Sequence, residues 1–201
     1  GADLGADMSN PDTTLASLIT STGIISPLFS PQVTDYTVTL AAETEITVTP
    51  TAANRRNAVT IEADGHTYRP TDPITAADGK VITVKCGEHT YRLTAAIAAD
   101  DQELADIVAG LIAALPQPDE IAAEDKTEIM LVRAAYDRLT AAQKQLVSNQ
   151  NLLQAAELKI MELEKDDEGI AELVIEQIDA LPPLSAITLE HQEQVEAAQQ
   201  A

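Results

Sequence analysis

One stretch of this chain occurs twice. Residues 105–135 align with residues 171–201 without a gap, at an offset of 66 residues. Leu115-Pro116 falls on Leu181-Pro182, Ile121 on Ile187, Glu124 on Glu190 and Ile129 on Val195. Self-similarity at a fixed period marks a tandem array, in which each unit buries its apolar face against the next. One full copy is expected over about 101–166. A second starts near 167 and is cut short at 201.

The repeat has a helical period. Leu104, Ile107, Val108, Leu111, Ile112 and Leu115 form one amphipathic stripe. Asp100 with Glu103 makes a capping box, and Pro116 and Pro118 end the helix. A second helix is predicted over roughly 119–139, with Ile129, Val132, Tyr136 and Leu139 inward. Thr140 and Gln143 form another capping box, opening a short helix that runs to Val147. Beyond it, Leu153, Ala156, Ile160, Leu163, Ile170, Val174, Ile178 and Leu181 stay in phase across Asp166-Asp167-Glu168-Gly169. That phase predicts one helix over about 151–181, ended by Pro182-Pro183 and on the order of 45 Å long. The alternative is a kink at Gly169, because glycine costs about 1 kcal/mol inside a helix.

The period is 2 in the first half. Tyr36 to Leu40, Ile46 to Thr49, Val59 to Ala63, Ile82 to Cys86 and Tyr91 to Ile97 all alternate apolar with polar. Alternation of this kind gives strands with one face buried and one face wet. Asp64-Gly65 and Cys86-Gly87-Glu88 are hairpin turns. Pro27, Pro31, Pro50, Pro70 and Pro73 belong at edges or in loops. Short strands at this spacing, with no helix between them, suggest a small sandwich. Residues 1–13 are polar and aperiodic, and read as a flexible leader.

Two segments carry resemblances. Leu15-Ala-Ser-Leu18, then Ile25-Ser-Pro-Leu-Phe29-Ser-Pro-Gln-Val33-Thr-Asp-Tyr36-Thr-Val-Thr-Leu40, resembles the cadherin-like, immunoglobulin-type β-sandwich of bacterial surface proteins. Tyr91-Arg-Leu93-Thr fits that family's closing strand, whereas Asn54-Arg55-Arg56-Asn57 and the loop 69–79 depart from its pattern. The resemblance implies a non-catalytic module and does not imply calcium. Asp35, Asp64, Asp72 and Asp78 are scattered singly, outside any calcium-loop spacing. Tyr136-Asp-Arg-Leu-Thr140, Gln143-Lys-Gln-Leu-Val-Ser-Asn149 and Leu153-x-x-Ala156-Glu157 are similar to a helical repeat of Gram-positive surface and secreted proteins.

Composition narrows the function classes. The net charge is −21, with 33 acidic residues against 12 basic ones. Such a surface repels nucleic acid and favours a soluble monomer. Residues 99–201 hold 22 of the acids and residues 1–98 hold 11, which supports a boundary near 98. Aromatics make up 2% of the chain, so sugar platforms and stacking surfaces are disfavoured. A lone Cys86 excludes an internal disulfide, and no apolar run is long enough to span a membrane. Cys86 and His89 could offer two metal ligands, which is short of a site, and His66 follows a turn. His191 faces Asp125 in the other copy, an exchange that a ligand would not tolerate. Arg55-Arg56 is too short a basic patch, and the run Glu162–Glu168 reads as a solvated face. Met130, Leu131 and Ile175 flank the helical stripes and are expected to pack against neighbouring helices, the alternative being an exposed apolar patch for a partner.

The expected fold is therefore multi-domain, β plus α. An immunoglobulin-like antiparallel sandwich occupies 14–98, and a helical-bundle repeat with a long shared helix occupies 99–201. No catalytic, cofactor-binding or metal site is expected. The expected role is a spacer in a bacterial cell-surface or secreted protein, extracellular or wall-associated. Its partners would be other domains of the same longer chain. The alternatives are an adhesion module for glycan or host protein, with Tyr36, Tyr68 and Tyr91 as its aromatic candidates, and an accessory region of a secreted enzyme.

Overall fold

The computed structural model describes residues 12–179, with side chains through Lys165. Ten strands precede four helices. They are β1 (Leu15–Thr20), β2 (Ile24–Ser26), β3 (Asp35–Leu40), β4 (Thr44–Ile46), β5 (Val48–Ala52), β6 (Val59–Ala63), β7 (His66–Tyr68), β8 (Ile74–Ala76), β9 (Val81–Cys86) and β10 (His89–Ile97). The helices are α1 (Asp101–Ala113), α2 (Lys126–Asp137), α3 (Ala141–Leu146) and α4 (Gln150–Asp179). The chain is thus mixed, strands first and helices after.

The strands form a six-stranded sheet in the order β2-β3-β10-β9-β6-β7 and two ribbons, β1-β5 and β4-β8. Neighbours are antiparallel except β3 and β10, which run parallel with Tyr36 beside Leu93. Alternation sends one side chain in two to a common core. Leu15, Leu18, Val38, Ile46, Val48, Ile61, Ile74, Ile82, Val84 and Leu93 all meet there, drawn from all three sheets. Each such side chain contributes about 1.5–3 kcal/mol on burial. Ile46 to Thr49 is expected as one strand and is observed as two, because pairing switches at Thr47 from β8 to β1. Pro50 lies inside β5, opposite Leu18. Its missing N–H is tolerated because, among the described residues, β5 is paired on one side only.

The Asp64-Gly65 turn has positive φ at both residues, 49° and 75°, as a two-residue hairpin between β6 and β7 requires. The loop after β2 is held by two buried tyrosines. The Tyr36 hydroxyl donates to Ser30 O at 2.7 Å and accepts from Ser30 N at 3.1 Å. The Tyr91 hydroxyl donates to Pro31 O at 2.9 Å and accepts from Leu15 N at 3.1 Å. Phe29 stacks on Tyr36 and tilts against Tyr91. The Ser-Pro-x-Phe-Ser-Pro string thus ties the start of β1 to β3 and β10.

The described chain divides into two compact units. One runs through Leu115 and includes Thr127–Leu153; the other takes Pro116–Lys126 and the helix from Gln154 onward. In the first unit, Asp100 caps α1 by accepting from Glu103 N at 2.9 Å. The Glu103 carboxylate in turn accepts from Ala99 N at 2.7 Å. Leu104, Val108, Leu111 and Ile112 are buried, as the stripe predicts. Thr140 and Gln143 complete their capping box, and Gln143 Nε2 also donates to Asp101 Oδ1 at 2.7 Å. Tyr136 is buried beneath Arg133 and Lys144, whose cations lie 5.4 and 5.3 Å from its ring centre. Asn149 Nδ2 donates to Ala109 O at 2.8 Å. The polar letters of the repeat string therefore have structural jobs.

In the second unit, Ile121, Ala156 and Ile160 are buried, and Lys126 is ion-paired with Glu164. The helix expected over 119–139 begins only at Lys126. Before it, a single 3-10 turn covers Ala123–Asp125, where Asp125 Oδ2 accepts from Ala122 N at 2.9 Å. A short acidic side chain that bonds its local backbone competes with helix propagation. Helix α4 crosses Asp166–Gly169 unbroken over 30 residues. The leader through Pro11, Pro182-Pro183, His191 and the copy of the second helix lie outside the described residues.

Candidate functional site

The residues that the sequence flags as chemical do not converge. Cys86 is buried, and its thiol lies 3.6 Å from Thr14 O. His89 Nδ1 is 2.6 Å from Thr13 Oγ1. The two face each other across the β9–β10 turn, yet each is bonded to a different residue of the segment before β1. His66 Nδ1 sits 3.0 Å from Asp64 O, inside its own turn. Asp35 accepts from Thr34 Oγ1, Asp72 from Arg69 N and Asp78 from Ile97 N, while Asp64 pairs with Lys80. These carboxylates serve local turns and pairs, not a shared ligand. Among the described residues, no three metal-ligating side chains lie close enough to hold an ion. Tyr36 and Tyr91 are spent on the core, and Tyr68 is half-buried. Glu162 lies 3.7 Å from Lys159. Met130 is 61% exposed and Leu131 half-buried.

Burial pushes the Cys86 thiol up, and the negative charge of Asp12 adds to the shift. The thiolate is the reactive form, so this cysteine is protected twice, by access and by protonation. Native protein at pH 8 should be alkylated by iodoacetamide at least tenfold more slowly than urea-unfolded protein. Equal rates would mean that the thiol is open.

A cluster that the sequence reading did not single out lies where the strands and helices of the first unit meet. Arg138 follows the last turn of α2. Its Nη1 donates to Gly23 O at 2.6 Å and to Thr20 Oγ1 at 3.3 Å, and its Nη2 donates to Thr20 O at 2.6 Å. These oxygens belong to the corner where the chain leaves β1 and turns into β2. The side chain stays partly in solvent, yet burial pulls its pKa below the usual arginine value. It remains charged, since arginine does not deprotonate in proteins. Beside it lies an apolar groove of about 150 Å³, walled by Ile19, Ile25, Leu28 and Phe29 on the strand side and by Leu131 and Ala134 on α2. A second cavity of about 230 Å³ shares Ile24 and Arg138 as walls and is lined by Thr22, Thr39, Thr140 and Gln143.

Two of these three bonds are charge-assisted donations to carbonyls, and each such bond is worth about 1.5–3 kcal/mol when buried. Solvent on one side of Arg138 reduces that. Arg138→Met should therefore cost about 1–2 kcal/mol in urea denaturation. It should also let the helices unfold ahead of the strands, seen as separated far-ultraviolet and tyrosine-fluorescence transitions. A single unchanged transition would show that the guanidinium does not couple the two.

A third feature, an open depression of about 580 Å³ between the β6–β7 turn and the strand β9, has Glu62, Asp64 and Lys80 on its walls. Lys80 is taken by Asp64, and Glu62 by Lys85. The charges on its walls are thus taken up in ion pairs.

No helix among the described residues is long and apolar enough to cross a membrane. No protein family, no curated protein and no solved structure matches this chain.

Proposed function

We propose that this chain is a non-catalytic spacer of a bacterial cell-surface or secreted protein, an immunoglobulin-type sandwich at 14–98 followed by a helical repeat from 99. The single observation that carries the reading is α4, which passes from the first copy of the repeat into the second through Asp166–Gly169 with no break. A helix owned by two copies leaves no flexible peptide between them. Thirty residues of helix extend about 45 Å. The strand order supports the sandwich half: parallel β3 and β10, then β9, β6 and β7, with β1-β5 and β4-β8 opposite and a shared core. Arg138 supports a sandwich tied to its first helical copy.

A display experiment tests the reading. The segment is placed between a wall anchor and a terminal epitope on a Gram-positive cell, beside a Gly-Ser linker of equal length. The segment should raise antibody access to the epitope several-fold over the linker. Equal access would overturn the spacer reading. Saturable micromolar binding of the isolated segment to glycans or host matrix proteins would move the assignment to adhesion.

A further inference from the structure

We propose that the groove beside Arg138 binds a short aliphatic carboxylate, its hydrocarbon part in the apolar cavity and its carboxylate on the guanidinium. The proposal goes beyond the spacer reading and does not depend on it.

The argument begins with the charge. This chain has 33 acidic residues and 12 basic ones, so carboxylates outnumber cations nearly three to one. Lys80, Lys85, Lys126 and Lys159 all have one within 4.0 Å. Among the described residues, Arg138 donates to two carbonyls and a hydroxyl and to no carboxylate. Burial has already pulled its pKa down, which says that water screens it less than it would a surface arginine. A partly desolvated cation with neutral partners retains attraction for an anion.

The donors fit as well. A guanidinium has five N–H groups in a planar fork. Nη1 spends both of its own on Gly23 O and Thr20 Oγ1, and Nη2 spends one on Thr20 O. Among the described residues, Nε–H and one Nη2–H have no hydrogen-bond partner, and the Nε/Nη2 edge of a guanidinium can take a carboxylate through two bonds.

The cavity sets the rest of the ligand. About 150 Å³ lined by isoleucine, leucine and phenylalanine is the size and character that accepts a benzene-sized apolar body. Ile19, 50% exposed, stands on its lining. A branched or linear acid of about four to six carbons matches the volume. The second cavity shares the Arg138 wall and has both threonines and apolar side chains on its lining. A second copy of this chain is a poor occupant, because each copy carries −21.

The test is an amide chemical-shift titration of the whole chain at pH 7 with 3-methylbutanoate. Ile19, Ile25, Leu131 and Ala134 should shift together and saturate, with a Kd of roughly 1–10 mM given so few contacting atoms. The alcohol 3-methylbutan-1-ol, with the same tail and no charge, should bind at least fivefold more weakly. Arg138→Gln should erase that difference. No saturable shift by about 50 mM acid would overturn the proposal. Equal affinity for acid and alcohol on the unaltered protein would reduce the site to an apolar void and overturn it too. Equal affinity for acetate would leave an anion contact without a recognised tail, again against it. The comparison of ligands on unaltered protein decides the matter even where Arg138→Gln fails to fold.

Discussion

Gly23→Ala should destabilise the first unit by about 3–5 kcal/mol and lower its Tm by roughly 10 °C or more. Two effects add. Gly23 has φ of +85°, a backbone state that costs an L-residue about 1–2 kcal/mol. A Cβ there would also lie 2.7 Å from Leu40 Cδ2, 2.8 Å from Val38 Cγ2 and 3.1 Å from Thr39 O. Val38 and Leu40 are core residues, 0% and 2% exposed, so they have little room to retreat. Gly65 supplies the control. Its φ is +75°, yet a Cβ there meets nothing within 4 Å. Gly65→Ala should cost about 1–2 kcal/mol, the backbone part alone. Urea denaturation of both variants separates the terms, and equal losses at the two positions would refute the packing half of the argument.

Tyr91→Phe should cost about 2–4 kcal/mol although it removes a single oxygen. The Tyr91 side chain is fully buried, and its hydroxyl serves two backbone groups that are far apart in sequence, Leu15 N and Pro31 O. Phenylalanine keeps the ring but leaves Leu15 N, a buried donor, without its acceptor and takes the donor from Pro31 O, at about 1–3 kcal/mol for the buried group. Tyr36→Phe should cost about 1 kcal/mol. The Tyr36 hydroxyl bonds both backbone groups of one residue, Ser30, at a less buried site. The two denaturation midpoints give the comparison, and a Tyr91→Phe loss no larger than that of Tyr36→Phe would count against it.

The local elements were legible because local patterns make them. The β9 and β10 strands and the α1 stripe follow their periods, and Thr140 with Gln143 caps α3 as its spacing predicts. Pairing was not legible. Alternation says which face of a strand is buried and nothing about its neighbour, so the parallel partnership of β3 with β10, over fifty residues away, left no mark. The late start of α2 was hidden for a related reason. Asp119 to Ala122 suits a helix by composition, but Asp125 turns back on Ala122 N and takes the backbone elsewhere. Arg138 was the largest omission. Inside the repeat string it looks like any solvated helix residue, and its partners lie 115 and 118 positions upstream. Only its isolation from carboxylates in an acidic half could have raised it, and that too is a property of the folded chain.

The place of β10 sets a timetable for the ribosome. Early strands β2 and β3 lie on one side of it, and β9, β6 and β7 lie on the other. Until residue 97 has cleared the exit tunnel, the sheet exists as two separate fragments with an unpaired edge on each. Strands β3 and β9 wait for β10 to cover their second edges, and an unpaired edge invites other chains. The helices are made next, and Arg138 after α2 bonds back to the corner at Gly23. Closure of the sheet is therefore left to the last strand made.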